Sequence, residues 1–233
     1  MNFLKKGLSG TAIKIIALLS MTIDHVGVIF YPDVMLFRIF GRIAMPIFAY
    51  MIAEGCMYTK HKAKRFFKIF GLGVICQVVY YFFYPNWNLN ILINFSISIL
   101  IINCIQYAMK NGKWHAWLLP FFIVILTVFC VKELPKYVGG GTLHFDYGLF
   151  CIFAPVVIYP FKNKWLKLFV LALALFPISY DAYLSVQWYC YFALIPLALY
   201  NGKIGKYKLK NLFYIYYPLH LAVLYLINYF FAN

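Results

Sequence analysis

AIKIIALLSMTIDHVGVIFY, residues 12–31, is a twenty-residue apolar run with Lys14, Asp24 and His25 set into it. As a helix rising 1.5 Å per residue, it is about as long as a bilayer's hydrocarbon core is thick. A charge at that depth costs roughly 2.5–3.5 kcal/mol on insertion scales, so it is normally kept for a partner or a task. The run therefore predicts a membrane helix, and its polar residues predict that the helix does chemistry.

The rest of the chain extends that reading. Of 233 residues, 65% are hydrophobic and 12% charged, against about 45–50% and about 25% in soluble domains. Apolar segments recur at 12–31, 37–57, 65–84, 90–109, 115–131, 147–161, 165–181, 186–201 and 211–231. The expected fold is all-α: a polytopic bundle of about nine transmembrane spans forming one integral-membrane domain, 1–233. The first run is expected to be a retained span, because it is too long for a signal peptide and lacks a small-residue cleavage site.

Charge placement gives the expected orientation. The net charge is +15, which in a soluble chain would point to nucleic acid. Here the cations fall in alternate short loops. Lys5, Lys6 and Lys14 are followed on the same side by Lys60, Lys62, Lys64, Arg65 and Lys68, and then by Lys110 and Lys113. Lys162, Lys164 and Lys167 come next, then Lys203, Lys206, Lys208 and Lys210. The positive-inside rule puts these loops and the N-terminus in the cytoplasm, with no nucleic-acid partner expected. The cluster at 60–68 also suits the phosphates of a soluble donor, although topology alone accounts for it. The six cysteines all lie in apolar stretches without a CxxC pair. They read as buried thiols, with no metal site expected.

Helix geometry then sorts the polar residues. Lys14 and His25 are eleven residues apart, close to three turns, and share a face about 16 Å apart. Asp24 is rotated about 100° from His25, so the two look to different neighbours. In RIFGRIAMPIFAYMIAEG, residues 38–55, Arg38 and Arg42 stand at i,i+4 spacing. Arg38 is equally readable as a snorkelling rim residue. Arg42 lies a turn deeper and is expected to pair with Asp24, and Pro46 to kink the helix. Glu54 lies at the inner end, where it serves a site or forms a structural ion pair. FYIYYPLHL, 213–221, places His220 near mid-membrane. LHFDYG, 143–148, carries Asp146, which orients a histidine or caps a helix. Gln77, Asn90, Asn94 and Gln187 read as interhelical glue.

A histidine base with nearby arginines suits group transfer. No zinc motif, Walker loop or dinucleotide fingerprint is present. The strings MTIDHVG (21–27), residues 38–55, FDYG (145–148) and LALYNGKIGKYKLKNLFYIYYPLHL (197–221) resemble the TraX family of polytopic membrane proteins. The resemblance implies a membrane N-acetyltransferase acting on the pilin N-terminus, with acetyl-CoA as donor. The wider acyltransferase-three superfamily has a basic residue and a histidine with ten residues between them in its first helix, a spacing that Lys14 and His25 match.

The expected catalytic residues are thus His25, Asp24 and His220, and the expected donor-binding residues are Lys14, Arg38, Arg42 and Glu54. The expected partners are a bacterial inner membrane, acyl-CoA, and a protein N-terminus or glycan as acceptor. Two other classes fit the same residues: a small proton-coupled transporter or flippase, and a non-catalytic pilus-assembly protein.

Overall fold

The computed structural model describes residues 7–83, 87–138, 143–181, 185–206 and 210–231. Lys5, Lys6 and Lys208 lie outside the described residues, as does the side chain of Lys210. Among the described residues the fold is all-α apart from a two-residue parallel pairing of β1 (Asn88–Leu89) with β2 (His144–Phe145) and an isolated parallel bridge of Leu8 with Tyr200. Among the described residues, five helices are long and apolar enough to cross a membrane: Gly10–Phe30, Met35–Tyr58, Lys62–Phe83, Ile91–Asn111 and Trp114–Lys132. Among the described residues, Gly148–Ile158, Val186–Ala198 and Ile215–Phe230 are shorter apolar helices.

Helix α1 (Gly10–Phe30) starts where the Ser9 side chain accepts a hydrogen bond from the Ala12 amide, an N-cap that satisfies one of the helix's orphan donors. The second span is broken into α2 (Met35–Gly41) and α3 (Ala44–Tyr58) at Arg42 and Ile43. Pro46 is the cause: it has no N–H for the Arg42 carbonyl, and its ring crowds that same carbonyl four residues back. The expected kink thus falls one turn before the proline, at the arginine.

Two expected spans are shorter than their apolar runs. Helix α8 (Gly148–Ile158) is eleven residues long; it follows α4 (Lys62–Phe83), α5 (Ile91–Asn111), α6 (Leu118–Lys132) and the single turn α7 (Leu134–Tyr137). The run at 186–201 is mostly a 3-10 helix, Ser185–Ala193, followed by α10 (Leu194–Ala198). Pro196 withholds an amide from Phe192 and crowds its carbonyl, which separates the two pieces. Helix α9 (Lys164–Asp181) precedes them, and α11 (Lys210–Phe231) closes the chain.

The chain divides into two compact units, one of Met1–Met51 with Phe161–Asn233, the other of Ile52–Pro160. In the first, α1 packs on α2 and α11, while the 3-10 segment packs on α2 and α9. Its core includes Ile13, Ala17, Ile47, Leu171, Leu175 and Leu197. Backbone bonds from Leu8 to Leu199 (2.7 Å) and from Gly10 to Lys203 (2.7 Å) tie the start of the chain to the segment before α11.

In the second unit α5 is central, packing against α4, α6 and α8 and burying Phe95, Ile99, Ile101 and Ile102. Asn90 caps α5 through the Leu92 amide and donates to the Gly73 carbonyl of α4 (2.7 Å). The Ser98 hydroxyl donates to the Ile152 carbonyl of α8 (2.6 Å). Across the surface Leu19, Phe67, Phe82, Phe121 and Phe129 are exposed, an apolar exterior suited to lipid rather than water.

Candidate functional site

The site lies in the unit formed by the two ends of the chain. On α1, Asp24 and His25 diverge as helix geometry requires. The Asp24 carboxylate accepts from Arg42 Nη2 at 2.8 and 3.1 Å and from Arg38 Nη1 at 3.1 Å. Two guanidiniums on one carboxylate satisfy most of its lone pairs by charge-assisted bonds. Arg38 is therefore an ion-pair partner and not simply a snorkelling rim residue, although its side chain is 34% exposed against 9% for Arg42.

Close packing makes this cluster possible. A Cβ added at Gly41 would collide with the Asp24 carboxylate, and one at Gly27 would collide with Phe37. The two glycines let α1 and α2 approach at the level of the charges. Ser20 Oγ, also on α1, donates to the Phe40 carbonyl at 2.6 Å, just where the second span breaks. Arg42 extends the cluster further: its Nη1 donates to Gln187 Oε1 at 3.0 Å. Gln187 thus acts as glue, but to a guanidinium.

His25 points to α11. Its Nδ1 lies 2.8 Å from His220 Nε2, and the rings stack with centroids 5.0 Å apart. The protons can be placed by elimination. His220 Nδ1 is 3.0 Å from the Tyr216 carbonyl, and a carbonyl only accepts, so this nitrogen carries the proton. Neutral His220 then presents a lone pair at Nε2, which His25 Nδ1–H fills. The remaining lone pair of His25 is at Nε2, leaving that nitrogen as the base of the pair. The group that orients His25 is thus a histidine, with Asp24 serving the arginines.

Tyr216 stacks on His220 from another side (centroids 5.3 Å, planes 9° apart), and Tyr217 meets it edge-on. The Tyr216 hydroxyl lies 2.7 Å from Thr22 Oγ1. Thr22 itself donates to the Leu18 carbonyl, so Tyr216 is the donor. Sequence reading passed over Tyr216 and Thr22; the signal was the i,i+4 spacing of Tyr216 to His220 and of Leu18 to Thr22.

The other expected residues are placed as follows. Lys14 is half-buried on α1, three turns before His25, and Glu54 is buried on α3. The N-cap position of α8 belongs to Tyr147, not to Asp146. Asp146 uses its backbone instead, its amide donating to the Leu89 carbonyl and its carbonyl accepting from Asn94. All six cysteines are free and five are buried.

Comparison with known proteins places these residues in a family. The model of the family described as TraX protein matches residues 9–228. The chain belongs to the TraX family. The match takes in Asp24, His25, Arg38, Arg42, Gln187 and His220, every member of the site. Over 93% of this chain and 94% of its own length, a probable fimbrial assembly protein, FimC of serogroup H1 from Dichelobacter nodosus, is 20% identical. An uncharacterized protein of Rickettsia prowazekii (strain Madrid E) is 34% identical over 100 residues, which span 43% of this chain and 37% of that protein. No solved structure matches.

Proposed function

We propose that this TraX-family chain is a nine-span enzyme of the bacterial inner membrane, with its N-terminus in the cytoplasm. It moves an acetyl group from cytoplasmic acetyl-CoA to an amine at the outer face, the N-terminus of a pilin-like protein. The observation that carries the reading is the hydrogen-bonded pair His25–His220, whose tautomers leave an unprotonated nitrogen at His25 Nε2 inside an apolar helix bundle.

In the reaction the acceptor amine attacks the thioester carbonyl carbon while His25 Nε2 takes its proton. The C–N bond forms, the C–S bond breaks, and the departing thiolate of coenzyme A receives the proton. His220 shares the charge that develops on His25 through the 2.8 Å bond. Asp24, clamped by Arg38 and Arg42, fixes α1 against α2 so that His25 is held in place. Lys14, on the His25 face of α1, is where the anionic part of acetyl-CoA would rest.

The test uses purified protein in proteoliposomes with acetyl-CoA and a short peptide amine. His25→Ala should lower kcat by about 10²–10⁴-fold, the usual contribution of a general base. Full activity in that variant, or no acetyl transfer by the wild-type chain, overturns the proposal. The name of the Dichelobacter relative supports a second reading, a non-catalytic role in fimbrial assembly. That reading predicts full complementation of pilus assembly by the His25→Ala, Asp24→Asn double variant.

A further inference from the structure

Gln187 has one polar group that the charge cluster does not use. A guanidinium only donates, so the oxygen of the Gln187 amide must face Arg42, and Nε2 is fixed as the other arm. Gln187 is 5% exposed, and its Nε2 has no hydrogen-bond partner among the described residues. A buried donor left without an acceptor costs about 1–3 kcal/mol. Such a group calls for an explanation, and a ligand oxygen is one.

The position of the amide narrows the ligand. Gln187 is joined through the single guanidinium of Arg42 to Asp24, the chain neighbour of His25. With the N-terminus in the cytoplasm, α2 and the 3-10 segment both begin at the outer face, where the acceptor arrives. Around Nε2 the oxygens of Asp24 and Gln187 are already engaged by guanidiniums. The charge cluster therefore offers a donor at Gln187 and not a free acceptor. That matches a peptide carbonyl, which only accepts, better than a sugar hydroxyl, which also has a proton to place.

We propose that Gln187 Nε2 donates a hydrogen bond to the first peptide carbonyl oxygen of the acceptor, holding the neighbouring terminal amine for attack. This rests on the acetyltransferase reading above. Gln187 is a specificity-determining residue: it selects amines that carry an amide carbonyl at peptide spacing.

The experiment compares a short peptide amine with an analogue in which the first carbonyl is a methylene, both with acetyl-CoA in proteoliposomes. The wild type should prefer the peptide by about 10–100-fold in kcat/KM, the cost of leaving one buried donor unpaired. Gln187→Glu keeps an oxygen for Arg42 but removes the donor. It should lose most of this preference, its kcat/KM falling much further on the peptide than on the methylene analogue. Gln187→Leu should behave likewise, and if it fails to fold the Glu variant carries the test alone.

A Gln187→Glu chain that keeps the wild-type preference overturns the assignment and leaves the transferase reading standing. Acetylation of an amino sugar with the peptide refused overturns the choice of acceptor. A wild-type chain that acetylates nothing overturns the transferase reading and this inference with it.

Discussion

The unit built from the two ends of the chain and the unit built from its middle use similar apolar helices but hold them with different polar chemistry. In the middle, α5 is joined to its neighbours largely by neutral groups: Asn90 to Gly73, Ser98 to Ile152, Asn94 to Asp146, Gln106 to Tyr159 and Cys56. Such bonds in membranes average about 0.6 kcal/mol. Its Lys136–Glu133 pair is exposed and holds nothing together. At the two ends, a carboxylate, two guanidiniums and two imidazoles are set into the spans. Well-packed apolar side chains in place of a buried ion pair are often neutral or stabilising. In the proposed enzyme, retaining these ions fits the end unit as the one that carries the chemistry.

The sharpest way to break this contrast is to remove the shared carboxylate. Asp24→Ala leaves the Arg42 charge buried without its carboxylate and should cost about 3–5 kcal/mol. Thermal unfolding in detergent should show a drop far larger than for Asn90→Ala, whose lost cap is worth about 1 kcal/mol. Arg38→Gln gives an internal control, since its guanidinium is one-third exposed and partly exposed pairs are worth about 0–1 kcal/mol. Equal losses for Asp24→Ala and Asn90→Ala would mean that the charges are no more than glue.

A smaller effect tests how the charges were brought together. Gly41→Ala puts a methyl group into the space of the Asp24 carboxylate. Overpacking of this kind costs about 1–3 kcal/mol, measured again by thermal unfolding. It should also slow acetyl transfer, because α1 carries His25 and Asp24 together. Wild-type stability in Gly41→Ala would show that the two helices can separate without loss, and the clamp argument would fall.

Local features of the site were legible in the sequence, and long-range ones were not. The 100° per residue of a helix was enough to send Asp24 and His25 to different partners, and relative depth was enough to match Asp24 with Arg42. Pro46 announced the break in the second span, though the carbonyl it crowds lies a turn earlier. The tautomer of His25, by contrast, depends on His220, 195 residues away, and the tether on Arg42 depends on Gln187, 145 residues away. No spacing rule encodes contacts between helices so distant in the chain. Arg38 was ambiguous for a related reason: depth alone does not say whether a rim arginine meets water or a carboxylate. The 3-10 geometry of Ser185–Ala193 was hidden because hydropathy does not distinguish a 3-10 run from an α-helix.

The smallest expected effect bears on the line between glue and chemistry itself. Tyr216 belongs to both, since its hydroxyl donates to Thr22 while its ring stacks on His220. Tyr216→Phe removes the hydroxyl and keeps the ring, so His220 retains its stacking and its bond to the Tyr216 carbonyl. The loss should be that of one neutral membrane hydrogen bond, about 0.6 kcal/mol, with kcat for acetyl transfer within a few-fold of wild type. The proton from the acceptor is assigned to His25 Nε2, and nothing in that path passes through Tyr216. If instead kcat falls as far as in His25→Ala while stability barely moves, a neutral hydroxyl shares the proton. The division of the molecule into a charged working unit and a neutral supporting one would then be drawn on the wrong property.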